Sequence, residues 1–123
     1  MKDKEDTPGF RIRVVFGPGG MIGPGKAELL ERIDRTGSIA AAGREMRMSY
    51  KRAWQLVETM NAMFRDHVVE RTRGGARGGG ARLTPAGRAV LHEYRALEAE
   101  ARGAAERHIE RLQAMLTDIP DRK

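Results

Sequence analysis

The stretch from Gly37 to Phe64, GSIAAAGREMRMSYKRAWQLVETMNAMF, limits what this chain can fold into more than any other. Gly37 followed by Ser38 reads as the end of one helix and the cap of the next. Ile39, Ala42 and Met46 then recur at helical spacing, and Ala41, Ala42 and Gly43 are small enough to admit a second helix at close range. Arg47 and Met48 make a turn, after which Ser49 can cap again. Tyr50, Ala53, Trp54, Val57, Met60 and Phe64 form an apolar stripe at intervals of three and four, while Lys51, Arg52, Gln55 and Thr59 occupy the opposite side. A short helix, a tight turn and a second helix with a basic N-terminal face is the helix-turn-helix layout, whose second helix enters the DNA major groove.

Charge and composition agree with that reading. Residues 44–88 hold ten Arg or Lys against four acids, a surplus equal to the net charge of +6 for all 123 residues. Around a helix-turn-helix pattern, such clustering points to a polyanionic partner. There is no cysteine, which excludes disulfides and thiolate metal sites and suits a reducing cytoplasm. No apolar run approaches the roughly 20 residues that span a bilayer, and the start MKDKEDTPG has no signal-peptide core. A soluble, cytoplasmic protein is expected.

In chain order, residues 1–9 are expected to be a disordered tail. FRIRVVF, Phe10 to Phe16, alternates as a half-buried strand does. The next segment, from Gly20 to Ala27, matches a phosphate-binding P-loop in all but its last position, where Ala27 lacks the hydroxyl that ligates magnesium. Alternating strands and helices are also missing, so a turn leading into a helix with Pro24 near its first turn is preferred to a nucleotide site. That helix, Gly25 to Thr36, is expected to bury Ala27, Leu29, Leu30 and Ile33. Beyond Phe64, Val68 to Thr72 and Ala81 to Thr84 read as two strands joined by RGGARGGG, a basic hairpin suited to phosphate or the minor groove. The glycines also resemble disordered RNA-binding RGG segments, but the flanking strands favour a hairpin.

Thr84 and Pro85 start a last helix that can run to about Thr117, roughly 50 Å at 1.5 Å per residue. Tyr94, Leu97, Ala101, Ala105, Ile109, Leu112 and Leu116 form its apolar stripe, continued by Ile119. Residues 89–117 carry a net charge of −1, so this helix is not a DNA surface. A stripe this long needs a partner helix, most simply from a second copy of the chain. Gly103 interrupts it and marks either a bend or a close crossing.

GPGKAELLERIDRTGSIAAAG, MSYKRAWQLVETMN and VVERTRGGARGGGARLTPAG together resemble the N-terminal DNA-binding domain of ModE-type molybdate-responsive transcriptional regulators, with LysR-type regulators more distant in the same winged-helix class. The similarity runs from about residue 10 to 117. It implies that Ser49, Tyr50 and Lys51 begin the recognition helix, that the glycine-rich hairpin is the wing, and that the long helix joins two subunits. Family members that sense molybdate use a separate region after this domain, and none is present before Lys123, so no effector or cofactor is expected. Arg47 stands where helix-turn-helix turns often carry glycine.

The expectation is therefore a mainly α fold with a small β component: a winged helix-turn-helix over residues 10–84, a long dimerisation helix over 85–119 and a tail over 120–123. Its function would be that of a homodimeric, double-stranded-DNA-binding bacterial transcription factor, with residues 49–64 in the major groove and the wing, 68–84, on the backbone or minor groove. Lys51 and Arg52 suit guanine edges and Gln55 suits adenine. Ser38, Ser49 and Tyr50 can bond phosphates, although both serines are equally suited to capping and Tyr50 to the core. Trp54 is expected in the core. Arg71, Arg73, Arg77 and Arg82 would supply salt-sensitive phosphate contacts. His67, His92 and His108 lack metal-ligand spacing and no serine sits in a nucleophile elbow, so no enzyme or metal site is expected. The competing class is a protein-interaction adaptor that uses the long helix.

Overall fold

A computed structural model describes residues 9–73 and 80–117. Within them the order is β1 (Val14–Gly17), β2 (Gly20–Ile22), α1 (Pro24–Thr36), α2 (Ile39–Glu45), α3 (Tyr50–Met63), β3 (Val69–Thr72), β4 (Gly80–Leu83) and α4 (Pro85–Ala114). The fold is mainly helical, with two separate antiparallel hairpins. The expected tails lie outside the described residues, apart from Gly9, as do Arg77 and Ile119.

The first hairpin corrects the expected Phe10 to Phe16 strand. Only Val14–Gly17 pairs, with Val14 opposite Ile22 and Gly17 opposite Gly20. The ladder cannot extend back to Phe10, because its partner strand stops at Ile22 and Pro24 already opens α1. The same geometry removes the P-loop. Gly20–Ile22 is a strand and Pro24 to Lys26 are helical, so no loop remains to cradle a phosphate, and Lys26 Nζ donates to the Met21 carbonyl at 2.9 Å.

Helix α1 buries Ala27, Leu29, Leu30 and Ile33, the four residues expected. Leu29, Leu30 and Ile33 meet Ile39 and Ala42 of α2, Ala53, Val57 and Met60 of α3, and Val68, Val69, Ala81 and Leu83 at the root of the second hairpin. Each large side chain fully buried here contributes about 1.5–3 kcal/mol. Thr36 is followed by Gly37 in the left-handed region at φ 73°, where its N–H bonds the Ile33 carbonyl, and its own carbonyl accepts from Ala81 N at 3.0 Å. The turn that ends α1 thus also anchors the second hairpin. Arg32 and Arg35 of α1 both hold Glu45 at the end of α2. Its hydrogen bonds to Arg35 and then Arg32 keep the Glu45 carboxyl below the usual range.

Helix α4 differs from expectation in three respects. It ends at Ala114, so Leu116 lies past its last turn. Tyr94, expected among the dimer contacts, is only 3% exposed and belongs to its own chain's core, packed with Ile22 and Ala27. Its hydroxyl donates to the Ile12 carbonyl at 2.6 Å, using residues 10–13 as a strap across α4. Gly103 does not interrupt the helix: α4 is continuous through it, and within its own chain a Cβ added there would meet nothing within 4 Å. Ion pairs from Arg95 to Glu31 and from Arg88 to Asp34 fasten the first half of α4 to α1. Among the described residues from 106 to 117 only Ile109 is less than exposed, while Leu112 is 62% exposed.

Gly87 is where α4 crosses close to the root of the second hairpin, and a Cβ there would lie 2.0 Å from the Val68 carbonyl oxygen. Gly87→Ala is therefore expected to lower unfolding stability by about 2 kcal/mol or more. Gly103→Ala, in open space, should raise it by up to about 1 kcal/mol through helix propensity. Urea unfolding of the two variants beside the parent checks both signs.

Candidate nucleic-acid interface

Helix α3 divides into four faces, each with a different neighbour. Ala53, Val57 and Met60 are buried against α1 and α2. Tyr50, Trp54 and Asn61 look toward the second hairpin. Tyr50 Oη accepts from Arg71 Nη2 at 2.9 Å, and the Arg71 guanidinium lies 5.9 Å from the Trp54 ring centroid. Asn61 Oδ1 accepts from Val68 N and Val69 N, and its Nδ2 donates to the Val69 carbonyl at 3.1 Å. Lys51, Gln55, Glu58 and Ala62 point outward and are exposed, and Arg52, Leu56 and Thr59 form the remaining flank.

What fixes this orientation is the junction with α2. Ser38 Oγ accepts from Ala41 N and Ser49 Oγ from Arg52 N, each at 3.0 Å, so both serines cap their helices. A Cβ on Gly43 would come within 2.9 Å of the Ala53 Cβ, which is how closely the two helices cross. Between them Arg47 sits at φ 62°, the only non-glycine residue with positive φ among those described. That is the left-handed backbone for which glycine is the usual choice, and the Met48 N–H closes the turn on the Gly43 carbonyl at 2.9 Å.

The other sequence-derived positions distribute as follows. Lys51 and Gln55 lie on the outward face, and Ser49, Tyr50 and Arg52 beside it are also exposed. Tyr50 is 48% exposed and so is not part of the buried stripe, whereas Trp54 is half-buried, packed against the core and under Arg71. Ser38 is half-buried at the start of α2. On the hairpin, Val69 faces Leu83 and Glu70 faces Arg82. Arg82 is therefore paired with Glu70 at 2.7 Å on the outer side, whereas Arg71, on the other side, reaches α3. Arg73 is exposed at the last described position of this segment, after β3. Asn61 escaped the sequence reading; its signal is a polar residue at helical spacing from Tyr50 and Trp54.

A family model described as "Bacterial regulatory helix-turn-helix protein, lysR family" matches residues 25–88, just over half of the chain. This protein belongs to that LysR-type family. The matched span runs from α1 to the first turn of α4 and includes α3 together with α2 and the second hairpin. Among individual proteins, the chain is 45% identical over 87 residues to "Molybdenum transport protein ModE" of Azotobacter vinelandii, covering 71% of this chain and 32% of that protein. It is 48% identical over 81 residues to "Molybdenum-pterin-binding protein MopB" of Rhodobacter capsulatus, covering 66% and 30%. To "DNA-binding transcriptional dual regulator ModE" of Escherichia coli K12 it is 38% identical over 71 residues, covering 58% and 27%. The chain thus spans about a third of the length of the curated relatives it matches. The LysR-type family is one of regulators, not of enzymes. Among the described residues no helix is long and apolar enough to cross a membrane.

Proposed function

We propose that this chain is a transcriptional regulator that binds double-stranded DNA as a homodimer, inserting the outward face of α3 into the major groove. The observation that carries this reading is the open row Lys51, Arg52 and Gln55 on the second helix of a helix-turn-helix. Among the described residues no carboxylate forms a salt bridge with Lys51 or Arg52. Their long side chains suit guanine O6 and N7, and the Gln55 amide suits adenine N6 and N7. Ser38, Ser49 and Tyr50 act on phosphates. Using a hydroxyl oxygen as an acceptor leaves its O–H free to donate, so capping, or the bond from Arg71, is compatible with a phosphate contact. Arg71, Arg73, Arg77 and Arg82 bring charge to the wing side, where Arg82 must first exchange Glu70 for phosphate.

Dimerisation is assigned to the part of α4 that its own chain leaves bare. Leu97, Ala101, Ala105, Ile109 and Leu112 lie along one side, and Leu116 continues the line past the helix end. A continuous apolar edge at these intervals is best covered by the same edge of a second copy. Tyr94 is excluded from it because its ring and hydroxyl are already used internally.

Selection from a random duplex pool with purified protein should enrich one motif. On that duplex Lys51→Ala should change base preference, with about 1–3 kcal/mol less discrimination at one position. Arg73→Ala should weaken all duplexes alike and reduce the salt dependence by about one ion. A parent protein that enriches no motif and binds independently of salt would overturn the reading. For the dimer, sedimentation equilibrium of Leu112→Glu should show a shift toward monomer with unchanged helix content. A Leu112→Glu protein as dimeric as its parent would exclude this edge.

A further inference from the structure

The flank of α3 that faces away from the wing opens on a recess of 950 Å³ lined by cations from four separate segments. Arg11 and Arg13 come from the strap that leads into β1, Lys26 from the first turn of α1, Arg52 from α3, where Leu56 and Thr59 continue the wall, and Arg95 from α4, where Glu31 and Glu98 already hold it. Arg13 reaches the start of α1, its Cγ being 3.5 Å from where a Cβ on Gly23 would lie. The two acids that also line the recess are already engaged: Glu28 accepts from Arg32 Nε at 2.9 Å and Glu98 from Arg95 Nη1 at 2.8 Å. Arg13 and Arg52 are exposed, and neither forms a salt bridge among the described residues. Burial first, and then Arg52, lower the pKa of Lys26, so cations face one another here.

A helix lying in a major groove about 12 Å wide has a phosphate backbone on each side of it. The wing supplies cations on one side only. Resting on the DNA reading above, we propose that Arg11, Arg13 and Lys26 form a second phosphate-binding flank, which holds the backbone on the side of α3 opposite the wing. Arg52 stands at the seam, shared by the outward face and the recess. These cations lie outside the basic block of residues 44–88 and come together only because the strap and the first turn of α1 fold back beside α3.

The test compares the parent with Arg13→Ala and Arg13→Glu on the selected duplex across a salt series, together with ethylation interference. Arg13→Ala should bind more weakly at every salt concentration, with the slope of log affinity against log salt shallower by about 0.9 for each phosphate that is no longer neutralised. Base preference should stay as in the parent, and interference at phosphates on the recess side should disappear. Arg13→Glu should do the same more strongly. If the parent binds and Lys51→Ala still changes its base preference, but both Arg13 variants keep the parent's affinity and slope, the second flank is wrong and the DNA reading stands. If the parent binds no duplex, both fall together.

Discussion

The close crossing of α2 and α3 at Gly43 and Ala53 is the constraint on which the rest depends. A helix of 14 residues has only one narrow apolar face to bury, and Ala53, Val57 and Met60 supply it. Because Gly43 has no side chain, α2 lies directly on that face, and the rotation of α3 about its axis is then fixed. Once the inner face is set, Lys51 and Gln55 must point outward, Tyr50 and Trp54 toward the hairpin, and Arg52 and Thr59 toward the strap. The outward chemistry is a consequence of inward packing.

The charges sort themselves by the same logic. Cations on the body of the fold are held by acids of a neighbouring helix: Arg32 and Arg35 by Glu45, Arg88 by Asp34 and Arg95 by Glu31, with Glu98 of its own helix as a second partner of Arg95. These pairs are exposed or half-exposed, so solvent screens them and each adds little to stability. Their effect is on distribution, since they neutralise the faces of α1 and α4 and leave the surplus positive charge around α3. An asymmetric field of this kind draws a polyanion to one side of a small molecule.

Much of this was legible in the sequence because the signals were local. Ser38, Ser49, Thr84 and Pro85 mark helix starts whatever the tertiary fold, and the α1 residues Ala27, Leu29, Leu30 and Ile33 follow a period that only one helix face satisfies. The departures came from long-range contacts. Tyr94 fits the α4 stripe by spacing, yet it is claimed by Ile12, a residue 82 positions away in sequence. The strand expected from Phe10 was shortened because its partner had only three residues before Pro24. The glycines that suggested a phosphate loop were divided between a hairpin and a helix start, which no local pattern distinguishes. The cations of the strap and of the first turn of α1, scattered at positions 11, 13 and 26, gave no cluster to see until folding brought them together.

The most direct test of whether inward packing presents a DNA-reading face is an NMR titration of isotope-labelled protein with duplex DNA at moderate salt. The largest changes are expected at the amides of Ser49, Tyr50, Lys51, Arg52 and Gln55, with residues 101–114 of α4 nearly unmoved. Changes concentrated on α4, with the amides of residues 49–55 unchanged at saturation, would contradict the account.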